Sequence, residues 1–205
     1  MQDHGPSTGK VPHVLLALYL IEFAILAIRP YDREVWWAEN IPIMLIVGML
    51  VYLYPRFRFS AGSYIAMSVL IFLHTVGGHF TFELVPFDTV TELFGFERNH
   101  YDRIAHFSVG FYAYPLAEIL HRRRLVRSPW ILLLFPVCAV FTIASLYEII
   151  EWWYAALAGG KAGAAFLGSQ GDIWDAQKDM LADGLGSICT VVTFGLVHRR
   201  NLIRD

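Results

Sequence analysis

Residues 129–157 read PWILLLFPVCAVFTIASLYEIIEWWYAAL. Only Glu148 and Glu151 are charged in this run. At a rise of about 1.5 Å per residue, a helix of this length spans the roughly 30 Å hydrocarbon core of a bilayer. The two acids fall together near one end, beside Trp152 and Trp153. Ionisable groups are costly in a bilayer and mark sites or pathways there.

Five further apolar segments flank this one, at roughly 12–29, 38–54, 60–84, 100–120 and 176–198. The 205-residue chain is 56% hydrophobic and has a mean hydropathy of +0.48, too apolar for an ordinary soluble domain. The fold class expected is all-α: one polytopic membrane helix bundle over residues 1–205, with about six transmembrane helices. The first segment is too long for a signal-peptide core and reads as a retained helix. Cys138 and Cys189 lie inside apolar segments, which excludes a secreted disulfide framework and suggests reduced packing residues. The net charge of -2 says little, because the charges are segregated by loop; no basic stretch looks like a nucleic-acid surface, and Arg122, Arg123 and Arg124 read instead as a topology signal.

Orientation follows from the loops. Lys10, then Arg56 and Arg58, then Arg122, Arg123, Arg124 and Arg127, and finally Arg199, Arg200 and Arg204 all belong on one side if there are six spans. The other loops are acidic or mixed, with Asp32, Glu34 and Glu39, then Asp88, Glu92 and Glu97, then Asp172 and Asp175. Both termini are therefore expected in the cytoplasm. Trp36, Trp37, Trp152, Trp153 and Trp174 would form an aromatic belt at the outer interface.

The polar residues within the segments gather at that outer end. His79 and Glu83 close one segment; Asn99, His100, Asp102, Arg103 and His106 open the next; Asp175, Lys178, Asp179 and Asp183 open the last. From the helical rise, His79 and His106 lie about 7 and 9 Å below the outer ends of their helices, close to the depth of Glu151 and Asp183. Asn99, Asp102, Arg103 and His106 follow i, i+3, i+4, i+7, and Asp172, Asp175, Asp179 and Asp183 step by three, four and four, so each set makes one face. Two histidines and several carboxylates are the donors of an oxygen- and nitrogen-ligated site for a divalent metal such as zinc, manganese or iron. His79, His106, Glu151 and Asp183 are the expected metal ligands, with His74 and Glu148 as a deeper tier. Glu148 or Asp179 would serve as acid/base, and Arg103 and Lys178 would hold an anionic head group. The spacing matches no named metal motif. A set of interhelical salt bridges, with Arg103 and Lys178 neutralising the acids, and a proton or ion pathway remain as alternatives. Asp172 and Asp175 also suit a helix N-terminus. Gly184 and Gly186 permit close helix approach. Glu22 lies near mid-membrane, either functional or bonded as a protonated acid to a neighbour, while Glu118 is structural beside Arg122.

Three stretches are similar to a known family: Glu97-Arg98-Asn99-His100-Tyr101-Asp102-Arg103-Ile104-Ala105-His106-Phe107, Tyr147-Glu148-Ile149-Ile150-Glu151-Trp152, and Gly168 to Met180 with Asp183 and Gly186. Over roughly residues 60–198 they resemble the YjdF-like bacterial inner-membrane proteins. More distantly the pattern resembles the VanZ-like membrane proteins, with Asp102 to His106 one residue wider than their spacing and a longer N-terminal half. The resemblance implies a polytopic protein of the bacterial inner membrane and, through the VanZ-like proteins, an association with the cell envelope. It implies no reaction. The residues leave three functions open: a metal-assisted membrane enzyme acting on a lipid or cell-envelope substrate, a small ion- or proton-coupled transporter, and a non-catalytic envelope or partner-binding protein with a structural salt-bridge cluster.

Overall fold

The computed structural model describes residues 8–202, all helices, turns and loops with no strand among them. In chain order the helices are α1 (Val11–Leu26), α2 (Arg33–Leu53), α3 (Ala61–Phe80), α4 (Asp88–Phe94), α5 (Tyr101–Val109), a 3₁₀ turn (Gly110–Tyr112), α6 (Ala113–Arg122), α7 (Pro129–Ala158), α8 (Gly160–Leu167) and α9 (Asp175–Leu202). Local chemistry sets several starts. The Asp32 carboxylate accepts from the backbone N–H groups of Glu34 and Val35 at the head of α2, Ser60 caps α3, and Ser128 followed by Pro129 opens α7.

Cross-links between loops define two ends. At one end Arg122 donates to the Arg58 carbonyl at 2.6 Å, Arg123 donates to the Arg56 carbonyl at 3.3 Å, and the His198 ring lies 5.8 Å from that of His121. Val11 and Leu15 pack there against Phe57 and Phe59. At the other end the Tyr31 N–H donates to the His79 carbonyl at 3.0 Å, and Arg98 reaches Asp175 at 2.8 Å. The basic loops therefore share one end and the acidic loops the other, as the charge pattern implies. Arg204 lies outside the described residues. Helices α2, α3, α7 and α9 are long and apolar enough to cross a membrane, while α1 is a shorter apolar helix. Ile25, Met49, Leu134, Ile143 and Leu196 are exposed and give the bundle an apolar outer surface suited to lipid.

Several boundaries differ from the sequence reading. Helix α2 starts at Arg33 rather than near 38, because Asp32 caps it, so Glu39 lies two turns inside the helix and not in a loop. Helix α3 ends at Phe80. Thr81 and Phe82 take positive φ, the Phe82 ring folds over Gly77 where a side chain would collide with it, and Glu83 falls in the turn. Segment 100–120 is not one helix: Pro115 lacks the N–H that would bond the Phe111 carbonyl, and a 3₁₀ turn intervenes. Trp36 is buried against Phe23 and does not join the exposed Trp37, Trp152, Trp153 and Trp174. Cys138 and Cys189 are exposed on the outer surface rather than packed inside.

A close backbone contact joins the end of α5 and the 3₁₀ turn to α9. A side-chain carbon on Gly110 would overlap the Gly186 carbonyl carbon and the Ser187 amide, and one on Gly186 would overlap the Phe107 carbonyl oxygen. We predict that Gly186→Val lowers stability by at least the 1–3 kcal/mol typical of overpacking, roughly, because backbone on both sides prevents relaxation. Thermal unfolding of the purified protein in detergent checks this, with Gly195→Val, which has only the Leu133 side chain nearby, as the mild control.

Candidate functional site

Helices α5 and α9 run in the same direction and meet in register. Arg98 pairs with Asp175, Arg103 with Asp179, and His106 with Asp183, so each polar residue before or on α5 finds a carboxylate about one turn further along α9. Two layers result. The first layer is a salt-bridge lattice: Arg98 reaches Asp175 at 2.8 Å and Asp172 at 3.5 Å, and Arg103 grips both Asp175 and Asp179. Lys178, half exposed, holds Asp172 at 2.5 Å. Asp172 lies in the loop before α9. The hydrogen bond from Lys178, and after it the Trp174 backbone N–H, keeps its carboxyl below the ordinary value of 3.8.

Beneath this lattice sits His106. Its Nδ1 lies 3.3 Å from both oxygens of the buried Asp183, and its Nε2 lies 3.6 Å from Asp102 and 3.8 Å from Asp179. One donor atom each from Asp102, His106 and Asp179 lies within 4.8 Å of the others. Asp102 also lines a cavity of about 20 Å³ between α2, α3, α5, α7 and α8, together with Glu39, His74, Phe82 and Glu151. That is room for about one water or small cation. His74 Nε2 lies 3.0 Å from the Glu39 carboxylate, the Tyr147 hydroxyl donates to the same carboxylate at 3.3 Å, and Phe166 and Leu167 of α8 close the cavity. Helix α8 is held there by the Tyr154–Phe166 ring contact, centroids 4.2 Å apart. Glu148 is buried, and one of its carboxylate oxygens has no hydrogen-bond partner among the described residues.

The residues singled out in the sequence therefore divide. His106, Asp183, Asp102, Asp179, Arg103 and Asp175 converge directly, with Asp172 and Lys178 on the rim. His74 and Glu151 line the adjoining cavity. His79 does not join them: its Nδ1 bonds the Leu26 carbonyl at 2.7 Å, one of the carbonyls left free at the C-terminus of α1. The four-ligand set of His79, His106, Glu151 and Asp183 is not assembled. Asn99 is not on the α5 face either. Its side chain donates to the Glu83 and Val85 carbonyls and accepts from the Tyr101 N–H, stapling the loop. Glu83 contributes a backbone carbonyl to that staple, and His100 packs against Phe96 with ring centroids 4.6 Å apart. Sequence reasoning missed Glu39, Arg98, Tyr147 and Gln170, the last bonding both backbone groups of Asn99. The Asp32 cap with Glu34 in the first turn was the available signal for Glu39.

Charge balance separates the layers. Arg98, Arg103 and Lys178 offset Asp172, Asp175 and Asp179. Among the described residues, Glu39, Asp102 and Asp183 pair with His74 and His106. A buried carboxylate without a cationic neighbour is costly to keep ionised.

An apolar helix bundle with ionisable residues concentrated at one end defines a multi-pass membrane protein. Residues 11–200 match the family described as "Predicted membrane protein (DUF2238)", and the chain belongs to that family. It is also 38% identical over 195 residues to the inner membrane protein YjdF of Escherichia coli (strain K12), an overlap of 92% of this chain and 90% of that protein. No solved structure matches the chain. The location is thus the bacterial inner membrane. The more distant VanZ-like resemblance gains no support from these matches.

The two layers respond differently to substitution. Removing Arg103 leaves Asp175 and Asp179 with one cation fewer, and we predict that Arg103→Gln costs about 3–5 kcal/mol of stability, as for breaking a buried ion pair. Lys178→Gln, at an exposed site, leaves the neutral-pH melting temperature nearly unchanged. The lowered Asp172 pKa adds stability above the ordinary carboxylate value that is lost as pH falls through the lowered one. Lys178→Gln should therefore move that acid limb to higher pH. Melting curves from pH 3 to 7 read both effects.

Proposed function

We propose that this inner-membrane protein binds a divalent cation through Asp102, His106 and Asp179, and uses it to hold and polarise an anionic amphiphile such as a phosphate-ester lipid or envelope precursor. The observation that carries this reading is the approach of those three donors within 4.8 Å of one another. Asp183, bonded to His106 Nδ1, is the partner that orients a ligating imidazole. Carboxylate-rich donors with one imidazole suit manganese, iron or zinc. Asp179, expected from the sequence as acid/base, acts here as a ligand. Glu148 supplies the free carboxylate for proton transfer, and Arg98 and Arg103 attract the anion. We further propose that six traverses span the membrane with both termini cytoplasmic, so that the site opens outward.

A purely structural role has its own support: Arg103 already occupies Asp175 and Asp179. An ion-coupled transporter has less. Below the site the bundle interior is mainly apolar, with Ala113, Val140 and Val191 and then Ala117, Leu132 and Phe194, and the buried Ser108, Ser187 and Thr190 hydroxyls there bond carbonyls of their own helices.

Elemental analysis of the purified protein tests the proposal. We expect near-stoichiometric manganese, iron or zinc, lost in Asp102→Asn and His106→Ala and retained in His79→Ala. A folded wild type without metal supports the salt-bridge role instead and sinks the cation reading.

A further inference from the structure

At the basic end, away from the acidic site, a cavity of about 210 Å³ opens between α1, α2 and α3. Leu15, Tyr19, Leu50, Tyr54, Tyr64 and Ile71 are among its walls. Along α3 its lining runs from Tyr64 to Phe72, about 12 Å of helix, which is most of one leaflet of hydrocarbon. An enclosed apolar cavity of roughly 150 Å³ stays dry and takes up an apolar ligand. This larger one, with the half-exposed Val51 at its margin, has the depth and lining for an acyl chain.

Two features set it apart from an ordinary groove between helices. The first is a buried polar group with nothing to bond. Tyr19 is 95% buried (5% exposed), and its hydroxyl has no partner among the described residues. Tyr19 lines the cavity, with its ring 5.7 Å from that of Phe23. The Tyr64 hydroxyl lies near the Phe59 backbone without closing a hydrogen bond. The second feature is charge. Arg58 lies over the Tyr54 ring at 5.1 Å, and His13 packs edge-on against the same ring at 5.3 Å. Lys10 immediately precedes α1. Neither Lys10 nor Arg58 has a carboxylate partner among the described residues, whereas the nearby Glu118 is engaged by Ser60, Ser63 and Arg122.

We propose that this cleft is a binding site for one anionic phospholipid. Its acyl chain fills the space between α1, α2 and α3, its ester oxygens accept from the Tyr19 and Tyr64 hydroxyls, and its phosphate sits against Arg58 and Lys10. The site is separate from the cation centre and does not depend on it.

Native mass spectrometry of the full chain in detergent tests this, with phosphatidylglycerol and phosphatidylcholine of identical chains supplied in equal amounts. Two fixed cations at the rim lead us to expect one retained phosphatidylglycerol, favoured by about tenfold or more. In Lys10→Gln/Arg58→Gln, both exposed positions, the preference should collapse while retention of phosphatidylcholine is unchanged. Val47→Phe, which fills the cleft, should lower retention of both lipids, with helicity by circular dichroism confirming the fold. Equal retention of the two lipids by the wild type overturns the proposal. So does a preference that survives the double substitution, or unaltered retention in folded Val47→Phe.

Discussion

The contact between Gly110 and Gly186 is the constraint on which the acidic end depends. With no side chain at either position, the backbones of the 3₁₀ turn and α9 come together. Because the two helices run in the same direction from this contact, its register propagates upward: His106 meets Asp183, Arg103 meets Asp179, and Arg98 meets Asp175. A slip of one residue would rotate the carboxylates of α9 by about 100° away from their partners. Packing made possible by the absence of two side chains thus decides which charges meet. The interruption near Pro115 belongs to the same device, since it lets the chain tighten where α9 approaches.

How far the sequence foretold this depends on the kind of information each feature needs. Periodicity alone places Asp102, Arg103 and His106 on one face of α5 and Asp175, Asp179 and Asp183 on one face of α9, and both faces are used. The bias of Lys and Arg between loops likewise places the loops at the correct ends. Neither signal reports how a helix is rotated about its axis relative to its neighbours. His79 shares a depth with His106, yet it turns to the free carbonyl of Leu26, an acceptor that exists only because α1 ends there. Glu39 was hidden for another reason. A hydropathy window starts α2 at the first long apolar run, whereas the helix starts at its capping aspartate, and the difference moves a carboxylate from a loop into the core.

The inner and outer layers of the acidic end obey different physics. In the outer layer, Arg98 and Arg103 each engage more than one carboxylate, so the charges are held by geometry as well as by water. In the inner layer, Glu39, Glu148, Glu151 and Asp183 are at least partly buried, and Glu39 and Asp183 pair with the imidazoles of His74 and His106. The guanidinium lattice thus stands beside a carboxylate-rich pocket whose ion pairs are with imidazoles.

Between the two ends of the bundle the buried Ser108, Ser187 and Thr190 hydroxyls are taken up by carbonyls of their own helices. Glu118 at the basic end has its acceptor capacity filled by Ser60, Ser63 and Arg122, so it has no need of a further ligand. Between it and Asp183 lie Ala113, Val140, Val191 and Phe194. Moving an ion through that layer would mean stripping its hydration with few polar groups in place, at a cost of several kcal/mol or more in a low-dielectric interior. A polar cluster that rests on a mostly apolar floor keeps its charges at one end of the bundle.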